Sequence, residues 1–315
     1  MIYRKTEGLI AAPFTPMQPD RSLNLDAVED YARRLHKDGV QGAFICGTTG
    51  EGMSLTMDER RRVAERWVAV APAELRVIVH VGHTSLADCR ELAAHAQSIG
   101  ADSIACMSPF FFKPAGIEDL VEWCEQVADA APRLPFYYYH MPSMTGVSIK
   151  VSEFLRLASK RVRTLSGIKF TFEDLDDYKR CLEIEDGRLD VLFGRDELLL
   201  SALGLGARGA VGSTYNFAAA IYEALIEAHR EDDLEEAANL QALAVRMIQA
   251  FLQCGAHPVA AFKWFMNQTG IQCGPVRLPL HDPKPDQVAL LEAKLEASGA
   301  MSWLLRELIV DSLST

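Results

Sequence analysis

Short apolar runs alternate with amphipathic helical segments along the first 230 or so residues of the chain. The runs are rich in Ile, Val, Phe, Tyr, Ala and Gly, as in strands that are buried on both faces of a sheet. The predicted strands lie near residues 8–14, 40–46, 76–82, 103–108, 135–140, 164–170, 190–194 and 209–213. The predicted helices between them lie near 24–38, 56–71, 85–99, 117–131, 151–160, 173–185, 196–204 and 217–230. Strands that alternate with helices form a parallel sheet, and about eight such units favour a closed (β/α)8 TIM barrel over an open doubly wound sheet.

The rest of the chain shows helical patterns only. The predicted helices there cover residues 233–254, 256–269 and 284–298. We therefore predict a catalytic barrel over residues 1–230 and an all-helical extension over residues 231–315 that packs on the barrel. The final segment, residues 302–315, is amphipathic and either packs on a partner subunit or frays.

The charge balance excludes some classes of partner. The chain has 32 lysines and arginines against 43 aspartates and glutamates, a formal net charge of −11. Such a chain lacks the positive field that nucleic acids require, and an anionic membrane would repel it. No apolar run approaches the ~18 residues of a membrane span, and the N-terminal stretch lacks the pattern of a signal peptide. We expect a cytoplasmic protein that acts on a small molecule, with no nucleic-acid or membrane partner.

Several motifs suggest a metal or a cofactor but are better read as structural. The seven cysteines are scattered without a CxxC pair, mostly in apolar stretches, as buried reduced thiols are. His80 and His83 share a strand end without an acidic or cysteine partner nearby, and we interpret them as packing or capping residues. Residues 204–209, GLGARG, match the GxGxxG motif of dinucleotide-binding proteins. They follow a predicted helix and precede a predicted strand, however, which is the reverse of the order in that motif. We predict no metal site and no cofactor.

The active site of a barrel of this kind lies at the carboxyl ends of its strands. GTTGE, residues 47–51, follows the second strand, and its glycines, hydroxyls and backbone N–H groups suit a carboxylate. The alternative is a tight turn with a threonine cap.

Tyr139 ends the fifth strand, and alternation places it on one side with Tyr137 while Tyr138 faces the other. A barrel-facing tyrosine often only forms a hydrogen bond in the core.

Lys169, in the sixth strand, is the most informative residue. Lysine is rarely buried unless it is paired, yet here it lies among Leu165, Ile168 and Phe170. Burial lowers the pKa of a lysine, and a neutral amine can attack a carbonyl carbon to form a Schiff base. The alternative is a structural lysine paired with a buried acid.

Two more strand ends carry polar side chains. FGRDE, residues 193–197, and GSTYN, residues 212–216, bring adjacent carboxylates and Ser213 to the seventh and eighth strands. These groups suit a ligand with many hydroxyls, although Asp196 could instead cap the next helix. The aromatic run Phe110–Phe112 is either a wall of the site or a subunit contact.

Together these motifs resemble the pyruvate-dependent class I aldolase family that includes dihydrodipicolinate synthase and N-acetylneuraminate lyase. The resemblance runs from about Gly8 to the last predicted helix. YYYHMPSMTGV, SPFFFKP and PVRLPL are most similar to the sialic acid lyase branch, particularly its animal-type members.

The resemblance implies a role for each matching residue. Lys169 would form the Schiff base with the 2-keto acid, and Tyr139 would move the proton at the scissile carbon–carbon bond. Thr48 and Thr49 would hold the carboxylate, with Thr49 also in the proton relay. The residues that would bind the hydroxyl chain of the sugar are Thr171, Gly194, Asp196, Glu197 and Ser213. The resemblance also implies a homotetramer.

Three departures from the family pattern bear on specificity. The synthase branch carries an arginine just after the proline of the fifth strand, and residues 143–145 here include none. Many relatives have a tyrosine in the stretch 110–112, where all three residues here are phenylalanine. Arg195 lies inside the sugar-binding strand end, where it could alter which acid fits.

The expected activity is therefore reversible retro-aldol cleavage of N-acetylneuraminate to pyruvate and N-acetylmannosamine, without a metal or a cofactor. The nearest alternative is a Schiff-base aldolase or dehydratase that acts on another 2-keto-3-deoxy sugar acid. Dihydrodipicolinate synthase activity is disfavoured by the missing arginine. A sugar-acid binding protein without activity is disfavoured because the lysine, the tyrosine and the threonines are all present.

Overall fold

The computed structural model describes residues 5–304, and there the chain forms a closed barrel of eight parallel strands with helices outside it. The strands are β1 (Gly8–Ala11), β2 (Gly42–Ile45), β3 (Arg76–His80), β4 (Ser103–Met107), β5 (Phe136–His140), β6 (Leu165–Phe170), β7 (Asp190–Phe193) and β8 (Gly209–Gly212). They pair in chain order, and β1 closes the barrel by pairing with β8. The predicted TIM barrel is confirmed, and every predicted strand contains an observed one.

The helices alternate with the strands and then continue without them. In the barrel they are α1 (Ala27–Lys37), α2 (Met57–Val70), α3 (Leu86–Ser98), α4 (Ile117–Asp129), α5 (Pro142–Thr145), α6 (Val151–Arg161), α7 (Leu175–Glu183), α8 (Leu199–Gly204) and α9 (Ala219–Arg230). The extension adds α10 (Leu234–Leu252), α11 (Pro258–Gln268) and α12 (Pro285–Ser298). The predicted division at residue 230 falls in the turn between α9 and α10. Most of the amphipathic segment 302–315 lies outside the described residues.

Alternation along the strands separates two apolar layers. Tyr137 and Tyr139 belong to the small cluster inside the barrel, whereas Tyr138 and Ile168 belong to the larger layer between strands and helices. This is the predicted arrangement for β5.

All seven cysteines are buried, as their apolar neighbours in the sequence predicted. None of the helices within residues 5–304 combines the length and apolar character that a bilayer-spanning segment needs.

Local signals determine where helices begin. Thr56 and Glu59 form a full capping box at α2, and Ser85 accepts a hydrogen bond from the backbone N–H of Asp88 at α3. The structure adds short elements that the sequence patterns did not predict, namely the single turn α5 and 3₁₀ turns at 52–54 and 214–216, and the predicted helix 196–204 begins as a 3₁₀ turn at 196–198. All four follow strands at the carboxyl edge of the barrel, so they shape the site described next.

Candidate active site

One cavity of about 340 Å³ opens at the carboxyl edge of the barrel. Its walls come from the loop after β2, from the ends of β5 to β8, and from α10 and α11 of the extension. All nine residues that the sequence predicted for the site line it: Thr48, Thr49, Tyr139, Lys169, Thr171, Gly194, Asp196, Glu197 and Ser213. The fold therefore brings together side chains that are up to 165 residues apart in the chain.

Lys169 projects into the barrel from β6, beside Tyr139 on β5. Its side chain is buried, and Nζ lies 4.2 Å from the ring centroid of Phe44 and 4.4 Å from that of Tyr139. Burial lowers the pKa of Lys169 to about 7, while the negative charge of Asp196 opposes this shift. Within residues 5–304 no carboxylate forms an ion pair with this amine, so the alternative of a lysine paired with a buried acid is wrong.

The consequence is a reactive amine. At a pKa of about 7, roughly half of the Lys169 side chains carry a neutral amine at pH 7, against about 0.04% for an ordinary lysine. Only the neutral form has the lone pair that attacks a carbonyl carbon.

The Tyr139 hydroxyl stands next to this amine with two polar neighbours. It lies 3.3 Å from Oγ1 of Thr48 and donates to the sulfur of Met141 at 2.9 Å. Burial raises the pKa of Tyr139 to about 12, so the phenol is neutral near pH 7. A neutral phenol can accept a proton only if it passes its own proton on. Met141, which also lines the cavity, had no signal in the sequence beyond its place after the strand.

The two threonines of GTTGE point to different walls. Thr48 contacts Tyr139, whereas Oγ1 of Thr49 lies 2.7 Å from Oγ of Ser213 at the end of β8. Thr48 is therefore the hydroxyl that contacts Tyr139 in this geometry, whereas the family resemblance implied Thr49 for the proton relay. The turn carries the two side chains toward opposite sides of the cavity, which spacing alone does not reveal.

The ends of β7 and β8 are held together by Asp196. Its buried carboxylate accepts hydrogen bonds from the backbone N–H of Thr214 at 3.1 Å and from its hydroxyl at 2.6 Å. Burial raises the pKa of Asp196 to about 6, and the bonds from Thr214 oppose that shift. Asp196 caps no helix, so the capping alternative is wrong. A Cβ at Gly212 would lie 2.1 Å from Oδ1 of Asp196, so only glycine permits this approach.

Arg195 is tied to the carboxylates on either side of it. Its guanidinium forms ion pairs with Glu173, after β6, and with Glu197 at 3.0 Å. Arg195 and Glu197 both line the cavity. The sequence identified Arg195 as unusual, but a single sequence does not reveal its pairing with Glu173.

The helical extension supplies an apolar wall that the sequence analysis missed. The residues in this wall are Ile248, Leu252, Pro258, Val259 and Phe262. The helix predicted over residues 256–269 contains α11, but a helical pattern does not reveal which of its faces meets the barrel.

The remaining motifs lie outside the cavity wall. His80 is buried beside Tyr139 with Nδ1 3.1 Å from the carbonyl oxygen of Cys46, and His83 accepts a hydrogen bond from the backbone N–H of Ser85. These are the predicted packing and capping roles, but the expectation that no acidic or cysteine partner lies nearby is wrong for His83, whose Nδ1 is 3.3 Å from a carboxylate oxygen of Asp88 and whose backbone contacts the sulfur of Cys89. Phe111 and Phe112 are exposed and do not line the cavity, so they form no wall of the site. Throughout residues 5–304, no three His, Cys, Asp or Glu side chains are grouped closely enough to hold a metal ion.

A closed parallel barrel with a desolvated lysine and a neutral phenol at its carboxyl edge defines an enzyme-like site suited to imine chemistry. The chain belongs to the dihydrodipicolinate synthetase family, whose model matches residues 5–298.

Relatives and solved structures agree with this assignment. N-acetylneuraminate lyase of Mus musculus is 43% identical over 303 residues, which cover 95% of this chain and 94% of the mouse protein. The solved Proteus mirabilis N-acetylneuraminate lyase superposes with a TM-score of 0.90 at 42% identity, over 94% of this chain and 99% of that one. The native structure of the Aliivibrio salmonicida enzyme, a sialic acid aldolase, has the same TM-score of 0.90 and 42% identity, over 94% and 98% of the two chains.

The pKa of Lys169 is directly testable. Competitive labelling with acetic anhydride over a pH series, read by mass spectrometry, is expected to give a midpoint near 7 for Lys169. Asp196→Asn removes a negative charge that raises this pKa, so its midpoint should fall below that of the wild type. Exposed Lys150, whose pKa is raised by Asp174, is the internal reference. A Lys169 midpoint near the ordinary value of about 10.4 would contradict the account.

Proposed function

We propose that this chain is a sialic acid lyase that cleaves open-chain N-acetylneuraminate reversibly to pyruvate and N-acetylmannosamine. The single observation that carries the proposal is the Lys169 amine, which is buried, has a pKa of about 7 and lies against the Tyr139 ring in a cavity lined by hydroxyls. Lyases of this name that are about 42% identical over nearly the whole chain support the choice of substrate. The chemistry needs no metal and no cofactor.

Imine formation comes first. The neutral Lys169 amine attacks the C2 carbonyl of the 2-keto acid, and the carbinolamine takes up one proton and loses its oxygen as water, which leaves the protonated imine. The carboxylate of the substrate would lie against Thr48 and Thr49, where hydroxyls and the turn after β2 offer donors. The imine is positively charged, so it can accept the electron pair of the breaking bond.

Carbon–carbon cleavage follows from the position of Tyr139. The phenol accepts the proton of the C4 hydroxyl and passes its own through the Thr48 hydroxyl, which relays a proton in turn, to the bound carboxylate as the C3–C4 bond breaks. The C4 oxygen becomes the aldehyde of N-acetylmannosamine, and the electron pair of the bond passes to the imine nitrogen as an enamine. Protonation at C3 and hydrolysis then release pyruvate and the free amine.

The hydroxyl-bearing chain of the sugar would extend along the ends of β6 to β8. The groups assigned to it are Thr171, Gly194, Asp196, Glu197 and Ser213, all on the cavity wall. The hydroxyl of Thr171 is buried near the Tyr139 hydroxyl but outside ordinary hydrogen-bond geometry, which leaves it available to a polar ligand. A Cβ at Gly194 would lie 2.0 Å from this hydroxyl, so glycine keeps the space in front of Thr171 open.

A second candidate is the same chemistry on a shorter 2-keto-3-deoxy acid such as 2-keto-3-deoxy-gluconate. The observation that favours it is Arg195, which lies on the cavity wall with Glu197 bound to it and takes up part of the surface assigned to the sugar chain. The long acid remains our first choice because Asp196, Glu197 and Ser213 together offer more polar groups than a short chain needs.

Substitutions of Lys169 and Tyr139 should have different effects on adduct formation and on turnover. Borohydride added with pyruvate should fix an adduct on Lys169 in the wild type, and Lys169→Ala should lose both the adduct and pyruvate release. Tyr139→Phe removes only the proton carrier, so it should keep the adduct while kcat falls by about 10²- to 10⁴-fold. Full activity in Lys169→Ala, or no adduct in Tyr139→Phe, is the result that would contradict the mechanism.

Arg195 should affect the choice of acid. Arg195→Val removes the ion pair that holds Glu197, so KM for N-acetylneuraminate should rise about fivefold, as for the loss of about 1 kcal/mol. KM for 2-keto-3-deoxy-gluconate should change less, because its chain is shorter. Arg163→Val, which removes an exposed pair with Asp129, is the matched control and should change neither value. Equal changes for both acids would refute the assignment of Glu197 to the distal chain.

We propose further that the chain is cytoplasmic, acts in carbohydrate metabolism, namely sialic acid catabolism, and forms a homotetramer. The exposed, mutually packed rings of Phe111 and Phe112 support a subunit contact on that loop. Light scattering should give four times the mass of the 34.8 kDa chain, and a monomer would refute the tetramer.

A further inference from the structure

The last residue of GTTGE does not face the cavity. Glu51 has a left-handed backbone conformation, with φ +52°, and its carboxylate turns toward the helical extension. There it forms an ion pair with Lys263 of α11 at 2.8 Å, with 2% of the Glu51 side chain and 1% of the Lys263 side chain exposed. Nothing in the proposed chemistry uses either group.

Both ends of this pair are further bound by the extension. The second carboxylate oxygen of Glu51 accepts the backbone N–H of Arg277 at 2.7 Å. Lys263 also donates to the carbonyl oxygen of Pro275 at 2.8 Å. One side chain of the turn is therefore bound by α11 and by the segment that follows it, more than 200 residues away in the chain.

The turn is tight enough to transmit the position of Glu51 to the threonines. The backbone N–H of Glu51 donates to the carbonyl oxygen of Thr48 at 3.1 Å, and that of Gly52 donates to Gly47 at 3.0 Å. A Cβ at Gly52 would lie 1.9 Å from the carbonyl oxygen of Cys46, so the backbone at Gly52 packs directly against that of Cys46 and leaves no room for a side chain. A shift of Glu51 must therefore displace the backbone that carries Thr48 and Thr49.

We infer that Glu51 and Lys263 are positioning residues that hold the turn in the shape that binds the carboxylate of the substrate. This inference rests on the proposed function, because it takes Thr48 and Thr49 as the carboxylate site. The helical extension then contributes to the active site in two ways, through the apolar wall of the cavity and through the ion pair that holds the turn after β2.

The rival explanation is that the pair only stabilises the fold. A buried ion pair is weak support for stability, because desolvation of both charges offsets their attraction. The two explanations differ in what they predict for folded protein. A structural role changes the amount of folded enzyme, whereas a positioning role changes the affinity of folded enzyme for a carboxylate.

The experiment compares two ketones as probes of Lys169. Pyruvate carries the carboxylate, and acetone has a methyl group in its place, so both form an imine but only pyruvate needs the turn. The concentration of each ketone that gives half-maximal borohydride trapping is measured on folded protein, checked by circular dichroism. The variants are Glu51→Gln, Lys263→Met and the double variant. Asp177→Asn is the control, since Asp177 is a buried carboxylate that binds the start of α6 away from the cavity.

Glu51→Gln and Lys263→Met should each raise the half-maximal pyruvate concentration by about ten- to a hundredfold, since a displacement of about 1 Å can cost that much. Trapping by acetone should change less than about twofold, and the control should change neither probe. The double variant removes both buried charges, so it should recover thermal stability while its affinity for pyruvate stays weak.

Equal changes for both ketones, or a double variant that recovers stability and pyruvate affinity together, would overturn the inference. Unchanged pyruvate affinity in a folded Glu51→Gln protein would overturn it even if Lys263→Met does not fold. Failure of the wild type to be trapped by pyruvate would refute the proposed function itself, and the inference with it.

Discussion

Burial of the Lys169 amine disfavours its charged form, because it removes the water that would solvate an ammonium ion, and the faces of the Phe44 and Tyr139 rings replace that water only in part. The barrel makes this burial possible. Its eight strands close on themselves, and apolar side chains fill the interior below the amine. The carboxyl edge above it is where the turns after the strands can bring polar groups. The neutral amine is therefore a consequence of one side chain placed on the inner face of β6, and the barrel edge supplies the hydroxyls and the cavity around it.

The helical extension completes the site that the barrel begins. A barrel edge alone leaves the cavity open on the side of β7 and β8, and α10 and α11 close it with apolar side chains. An apolar wall limits the access of water, which preserves the low dielectric environment on which the pKa of Lys169 depends. The buried bond between Glu51 and Lys263 joins α11 to the turn after β2. The barrel and the extension are therefore separate in the sequence, but both contribute residues to the site.

Much of this arrangement follows from patterns that a sequence carries. Period-two alternation assigned Tyr137 and Tyr139 to one face of β5 and Tyr138 to the other, and a lysine in an apolar strand marked Lys169 as buried. Sequence patterns do not predict the direction in which a turn points each of its side chains. Thr48 and Thr49 are adjacent, yet one contacts β5 and the other β8. The partners of Arg195, Glu51 and Met141 come from folding in three dimensions, for which hydrophobic periodicity and strand ends provide no signal.

The central claim is that the amine at the base of this cavity cleaves a sialic acid. Pyruvate release measured by coupling to lactate dehydrogenase, with N-acetylneuraminate and 2-keto-3-deoxy-gluconate in parallel, tests it most directly. The account predicts rapid release from N-acetylneuraminate and little from the shorter acid. Release from the shorter acid alone would keep the Schiff-base chemistry but contradict the assignment of the β7 carboxylates to a long sugar chain. No release from either acid would contradict the proposed activity altogether.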